Sequence, residues 1–356
     1  MQALYITSTT PTGGKTALCY GLAARMQQDG LQVGYFQPLV FSKRGNSEDV
    51  ISKDARFMGA ALDLKDSLEL LSPAVVDAAG LERVLDGDPH DYADRIERAF
   101  VELAKDRDVL LIEGAATLNE GLLLDLPPQA LAARLNTRVL AVIKYTDELA
   151  VDGLLAAKVQ FGSSFLGAVL NEVPHSSLEF VETLIVPFLQ NRRIPVYATL
   201  PQERLLMALT VDEIAEFLGA QILNSPERGD DLVENFLVGA MSVDAALSYF
   251  RRQPHKAVIT GGDRSDIQLA ALETSTRCII LTGNIPPGPV ILSRAEELAV
   301  PLLLARQDTL SVVEILEQYF GRMHFHQPRK VDFFKQLLTK YFDFSSLYKD
   351  LEIKPK

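Results

Sequence analysis

The sequence predicts an α/β protein: a parallel sheet with helices on both faces, followed by a smaller α/β unit. Three observations predict it. Apolar runs such as Val109-Leu110-Leu111-Ile112 carry no polar residue, as strands buried on both faces do. These runs alternate with stretches of helical length and pattern. A loop rich in Thr and Gly, Thr9-Thr10-Pro11-Thr12-Gly13-Gly14-Lys15-Thr16, joins the first run to the first helical stretch.

In chain order, Ala3–Thr7 reads as a strand and Thr16–Met26 as the helix after the loop, and the chain turns at Gly30. Gln32–Phe36 is a second strand. Asp54–Leu62 is a helix with Ser52 as its N-cap, and Arg95–Ala104 is another. Strands are expected at Val109–Ile112, Val139–Ile143, Gly167–Leu170 and Ile194–Ala198, with a helix at Leu178–Gln190 before the last. A helix at Val211–Phe217 closes this part at Gly219. The polar stretch Asn224–Asp231 marks a boundary.

Beyond it, Ser242 caps a helix through Arg251, and Lys256–Thr260 is a strand. Gly261–Asp266 is a loop opening a helix from Ile267. Arg277–Leu281 and Val300–Leu304 are strands, with helices at Ser293–Leu298 and Val312–Phe320. Phe325–Lys356 mixes Lys with Phe and Tyr and reads as a helix packing on the second domain. The expected domains are residues 1–222 and 232–325, with an extension at 326–356.

Composition narrows the function. Among 356 residues, 47% are hydrophobic and 23% charged, which suits a folded core and excludes general disorder. The net charge of −12 argues against nucleic acid and anionic membranes as partners. Cys19 and Cys278 fall in different domains and read as small buried hydrophobes. Neither a signal-peptide pattern nor a membrane-length apolar run is present, so the expected location is the cytoplasm.

The first loop fits the phosphate-loop pattern G-x-x-x-x-G-K-[ST] at every fixed position except the first. Such a loop turns backbone N–H groups onto phosphate oxygens. Gly13 and Gly14 permit positive φ and close approach of an anion. Lys15 would reach the terminal phosphates, and the Thr16 hydroxyl would ligate Mg²⁺. Glu113 ends an apolar strand, where carboxylates face the ligand crevice of a parallel sheet. Mg²⁺ takes one or two carboxylates beside phosphate and water oxygens, which suits Glu113. Asp54 is either a second such acid or a carboxylate favoured by its helix dipole. Asn171 either offers its amide to a base edge or serves the turn before Pro174.

Taken together, Ser8–Thr16, Tyr35-Phe36-Gln37-Pro38, Asp54-Ala55, Glu113-Gly114 and Asn171 resemble dethiobiotin synthetase. They are closer still to the dethiobiotin-synthetase-like N-terminal domain of long phosphate acetyltransferases. The second half, through Val238–Ser242, Gly262–Ile267 and Leu281-Thr282-Gly283, resembles a DRTGG domain. The resemblance implies a P-loop NTPase sheet followed by a DRTGG domain. It implies phosphate binding by Thr12, Gly13, Gly14, Lys15 and Thr16, Mg²⁺ at Thr16, Asp54 and Glu113, and a base contact from Asn171. Departures accompany it. Gln37 stands where dethiobiotin synthetase has a lysine, and Ala115-Ala116-Thr117 replaces a Gly-rich stretch. The acetyl-transfer domain expected after a DRTGG domain does not fit before Lys356.

In the second domain, Gly262-Asp263-Arg264 precedes a helix. It reads either as a site for a small anionic ligand, with Arg264 as a bidentate contact, or as a capping network. The resulting expectation is a regulatory or sensor protein that binds ATP and Mg²⁺, hydrolyses ATP slowly if at all, and forms a homodimer. Acetyltransferase activity is not expected. The alternatives are an ATP-dependent ligase or kinase acting on a small carboxylate, and a scaffold with a structural P-loop.

Overall fold

The computed structural model describes residues 1–42, 52–319, 325 and 327–355. The chain forms two units, Met1–Gln202 with Phe325–Lys356, and Glu203–His324. The second unit is thus inserted within the sequence of the first, and the division falls at Gln202/Glu203 and not near residue 222.

The first unit is built on six strands: β1 (Gln2–Ser8), β2 (Val33–Phe36), β3 (Val109–Glu113), β4 (Arg138–Lys144), β5 (Phe165–Val173) and β6 (Val196–Pro201). They lie in the order β2-β3-β1-β4-β5-β6, all parallel. Their apolar residues are buried almost throughout, as a sheet covered on both faces requires. Four helices matter below: α1 (Lys15–Gln28), α2 (Lys53–Ala61), α3 (Tyr92–Leu103) and α4 (Ala150–Phe161). Ser52 caps α2 by accepting from the Ala55 N–H at 3.1 Å. The helix expected at Leu178–Gln190 contains a π-turn over Val181–Ile185. Pro187 has no N–H to give back along the helix, and a wider turn absorbs the missing bond.

The second unit has its own sheet. Its elements are α5 (Val211–Leu218), β7 (Gln221–Ile222), β8 (Asn235–Val238), α6 (Val243–Arg252), β9 (Lys256–Gly261), α7 (Ser265–Leu272), β10 (Thr276–Thr282), α8 (Pro289–Glu297), β11 (Leu302–Leu304) and α9 (Thr309–Tyr319). The order is β7-β11-β10-β9-β8, parallel except for β7. Alternate residues feed two cores. Ala257, Ile259, Cys278 and Ile280 face Ile214, Val312 and Leu316 on one side. Val258, Ile279 and Leu281 face Phe250, Ile267 and Ile291 on the other. Helix α7 begins two residues before the expected Ile267. Phe320, the expected end of α9, lies outside the described residues.

After the second unit come α10 (Pro328–Tyr341) and α11 (Phe344–Asp350). The expectation that this segment packs on the second domain is corrected: α10 packs on α1 and β6 of the first unit. Strand order gives the reason. The step from β1 to β2 runs one way across the sheet, and every later step runs the other way. Right-handed crossovers then place α1 on the face opposite the helices that lead into β4, β5 and β6, and α10 packs beside α1 there. A Cβ on Gly21 of α1 would come within 2.1 Å of Leu338 of α10. The tail also closes the sheet edge at β6. Ala198 and Phe342 form an antiparallel bridge, and the Asp343 N–H donates to the Tyr197 carbonyl at 2.8 Å.

Candidate functional site

The carboxyl ends of β1 and β3 bring the predicted residues together. Gly14 is the N-cap of α1, at φ 92° and ψ 25°, a left-handed backbone that suits glycine. A Cβ on Gly13 would sit 2.0 Å from Ser8 Oγ and 3.2 Å from the Val142 carbonyl. The loop therefore lies too close to β1 and β4 to carry a side chain there. Thr12, half-buried, precedes this pair.

Lys15 and Thr16 open α1 and turn toward β3. Thr16 Oγ1 donates to Glu113 Oε1 at 2.6 Å, and Lys15 Nζ donates to the Ala116 carbonyl at 3.4 Å. Lys15 is buried, and that burial lowers its pKa against the opposing pull of Glu113. Glu113 is 2% exposed. Its pKa is pushed up to about 7, first by burial and then by the charge of Asp54. The Thr16 hydrogen bond, Lys15 and the Tyr35 hydrogen bond oppose that rise. Asp54 stands in the first turn of α2, near enough for its charge to act on Glu113.

The donor set discriminates between metals. Among the described residues there is no group of three or more His, Cys, Asp or Glu side chains arranged to hold an ion. One hydroxyl, one buried carboxylate and a second carboxylate nearby suit Mg²⁺, which keeps waters and shares phosphate oxygens. They do not suit zinc, which prefers a closed shell of nitrogen and sulfur ligands. Thr16, Glu113 and Asp54 fit the ion that the sequence implies.

Asn171 differs from expectation in place and in contact. It lies within β5, not in a turn after it, and is buried. Its Nδ2 donates to the Gly13 carbonyl at 3.0 Å, so the amide fastens the loop to the sheet.

Two contacts were not read from the sequence. Tyr35 on β2 is fully buried, and its hydroxyl donates to Glu113 Oε2 at 2.8 Å. Burial and the Glu113 charge raise its pKa well above the ordinary phenol value, so it stays a donor. Gln37 Oε1 accepts from Ser52 Oγ, which ties the residue at the lysine position to the cap of α2. The alternation of strand residues placed Tyr35 on the Glu113 face, and only an acid already assigned to that face could have singled it out.

In the second unit, Gly262 is packed so closely that a Cβ would approach the Ile285 carbonyl to 1.8 Å. Gln268 Nε2 donates to the carbonyls of Gly261 and Gly262 at 2.9 and 3.1 Å. Asp263 is exposed. Arg264 pairs with Asp266 through two bonds of 2.9 and 3.0 Å and donates to the Met241 carbonyl at 3.1 Å. Its fork is thus engaged within the chain.

Two family models match the chain in succession. An AAA domain model matches residues 2–210, and a DRTGG domain model matches residues 213–319. The phosphate acetyltransferase of Nitratidesulfovibrio vulgaris is 25% identical over 365 residues, covering 97% of this chain and 51% of that protein. That of Synechocystis is 27% identical over 329 residues, covering 86% of this chain and 46% of that protein. The ATP-dependent dethiobiotin synthetase of Caldicellulosiruptor saccharolyticus is 25% identical over 120 residues, covering 33% of this chain and 49% of that protein. The chain spans about half the length of the curated relatives it matches. Among solved structures, cobyrinic acid a,c-diamide synthase from Mycobacterium smegmatis with bound ADP and magnesium is 17% identical. The match covers 57% of this chain and 88% of that one, at a TM-score of 0.38. No helix among the described residues is long and apolar enough to cross a membrane. The chain belongs to the AAA domain family matched over residues 2–210, as a dethiobiotin-synthetase-like P-loop domain followed by a DRTGG domain, the arrangement shared with phosphate acetyltransferases.

Proposed function

We propose that the chain is a regulatory or sensor protein that binds an adenine nucleotide with Mg²⁺ at Thr12–Thr16. In this reading Gly13, Gly14 and Lys15 receive the phosphates. Thr16 and Glu113 hold the ion, with Asp54 beside them, and Asn171 keeps the loop in place for the base-bearing end of the nucleotide. The second unit takes a small anionic ligand at Gly262-Asp263-Arg264, which Arg264 meets by leaving Asp266. Acetyl transfer forms no part of the activity proposed for these residues. The working form is a homodimer.

The observation that carries the reading is the Thr16–Glu113 hydrogen bond of 2.6 Å beneath a loop whose glycine admits no side chain. A P-loop kept only as scaffold has no need to bury a carboxylate at 2% exposure against a threonine and a lysine. The ligase reading has less support, because Gln37 spends its carbonyl on Ser52. Calorimetric titration of the full chain with ADP and ATP, with and without Mg²⁺, tests the proposal. Magnesium-enhanced binding supports it, and binding of neither nucleotide refutes it.

A further inference from the structure

Tyr35 is joined to the candidate magnesium site by geometry that the fold makes specific. On the parallel pair β2–β3, Tyr35 lies opposite Leu111, and Glu113 follows two residues later on the same face. Two residues along a strand span about 6.6 Å, a distance the long axis of a tyrosine covers. The phenol reaches Glu113 Oε2 at 2.8 Å while Thr16 holds Oε1 at 2.6 Å. Donors on both oxygens remove the carboxylate's freedom to rotate. Thr16 sits on the loop side, so the Tyr35 bond fixes which oxygen faces the loop. A phenylalanine would keep the buried ring in place beside Leu111 and remove only the hydroxyl, so packing alone does not require it.

We propose that Tyr35 is a positioning residue for metal binding. Its phenol clamps Glu113 Oε2, so that Oε1 and Thr16 Oγ1 are presented together to Mg²⁺ and the nucleotide phosphates. The inference rests on the reading of Thr16 and Glu113 as the metal pair. Partners that orient a metal-binding carboxylate are generally worth about 10–100-fold in metal affinity.

The test is Tyr35→Phe in the full chain, with ADP affinity measured by calorimetry in EDTA and across a magnesium series, beside a thermal melt. The expected result is ADP binding in EDTA within about twofold of wild type and a magnesium requirement raised about 10-fold or more. In a Glu113→Gln background, the same substitution should leave the magnesium response unchanged. A Tyr35→Phe chain with the wild-type magnesium response overturns the proposal. A variant that no longer melts cooperatively also overturns it, because the phenol would then be holding the sheet. If the wild-type chain binds ADP with no magnesium response, the metal reading fails first and the proposal falls with it.

Discussion

Thr16 and Glu113 lie 97 residues apart in the chain and share a 2.6 Å hydrogen bond. The parallel pairing of β1 with β3, Ile6 opposite Glu113, makes that contact possible. The loop leaves β1 just past this point, so the first turn of α1 returns over the end of β3.

Lys15→Ala removes the buried cation that we propose meets the phosphates. ADP and ATP binding should weaken by on the order of 2–4 kcal/mol, as expected for loss of a desolvated charge contact. The melt without nucleotide should hold or rise, because burial already disfavours the charged amine. Calorimetry on both chains decides it, and equal affinities would refute the assignment.

Gln37→Lys restores the residue type that the resemblance expects and should destabilise this chain. Gln37 is 8% exposed, and its carbonyl accepts from Ser52. Lysine has no acceptor and buries a charge, so the expected cost is about 1–3 kcal/mol. Urea unfolding measures it. An unchanged midpoint would mean that the α2 cap does not depend on Gln37.

Lys256 gives a pH signature to the second unit. It is fully buried on β9, where it donates to the Ser275 carbonyl at 3.0 Å. Burial brings its pKa down to about 8 from 10.5. Between those values the unfolded chain holds a proton that the folded chain lacks, so stability rises as pH climbs from about 8 to 10.5. Below about pH 8 both states are charged and the cost of burying the charge remains. Lys256→Met should raise stability at neutral pH and flatten that slope relative to wild type. Parallel slopes in urea unfolding across this range would refute it.

Phe325 joins the tail to the helix carrying Asp54. Its ring lies 5.7 Å from Tyr20 on α1, 5.9 Å from Phe57 on α2 and 5.4 Å from Phe334 on α10, between centroids. It is 3% exposed. Phe325→Ala should cost about 3–5 kcal/mol, and the magnesium response of ADP binding should fall as α2 loosens. Differential scanning calorimetry and the same titrations check both parts. An unaltered magnesium response in a destabilised chain would separate the cluster from the site.

The sheet was legible in the sequence because its central strands carry apolar runs such as Val109–Ile112 and Val139–Ile143, and the loop because its glycines and lysine occupy fixed positions. Ser52 was legible as a cap because capping is local. What was not legible depends on contacts distant in sequence. The periodicity of α10 shows that it has a buried face, but only the strand order shows which surface lacks a helix. Asn171 reads in the sequence as lying after its strand, either as a base contact or in a turn before Pro174, because Pro174 suggests that the strand has ended. In the structure Glu172 adopts φ 57°, and the strand runs on to Val173 through an irregular register. The short strand β8, Asn235–Val238, was missed because it is only half-buried and its alternation is weak.

Because α10 follows Glu203–His324 in the chain, the first unit is synthesised in two instalments. At typical elongation rates, on the order of 10 s separates the emergence of β6 from that of α10. Throughout that interval the part of the sheet face beside α1 that α10 will cover, and the β6 edge, lack their partner. A strand edge left uncovered in this way is open to pairing with other edges, so the position of α10 at the end of the chain ties completion of the P-loop unit to completion of synthesis.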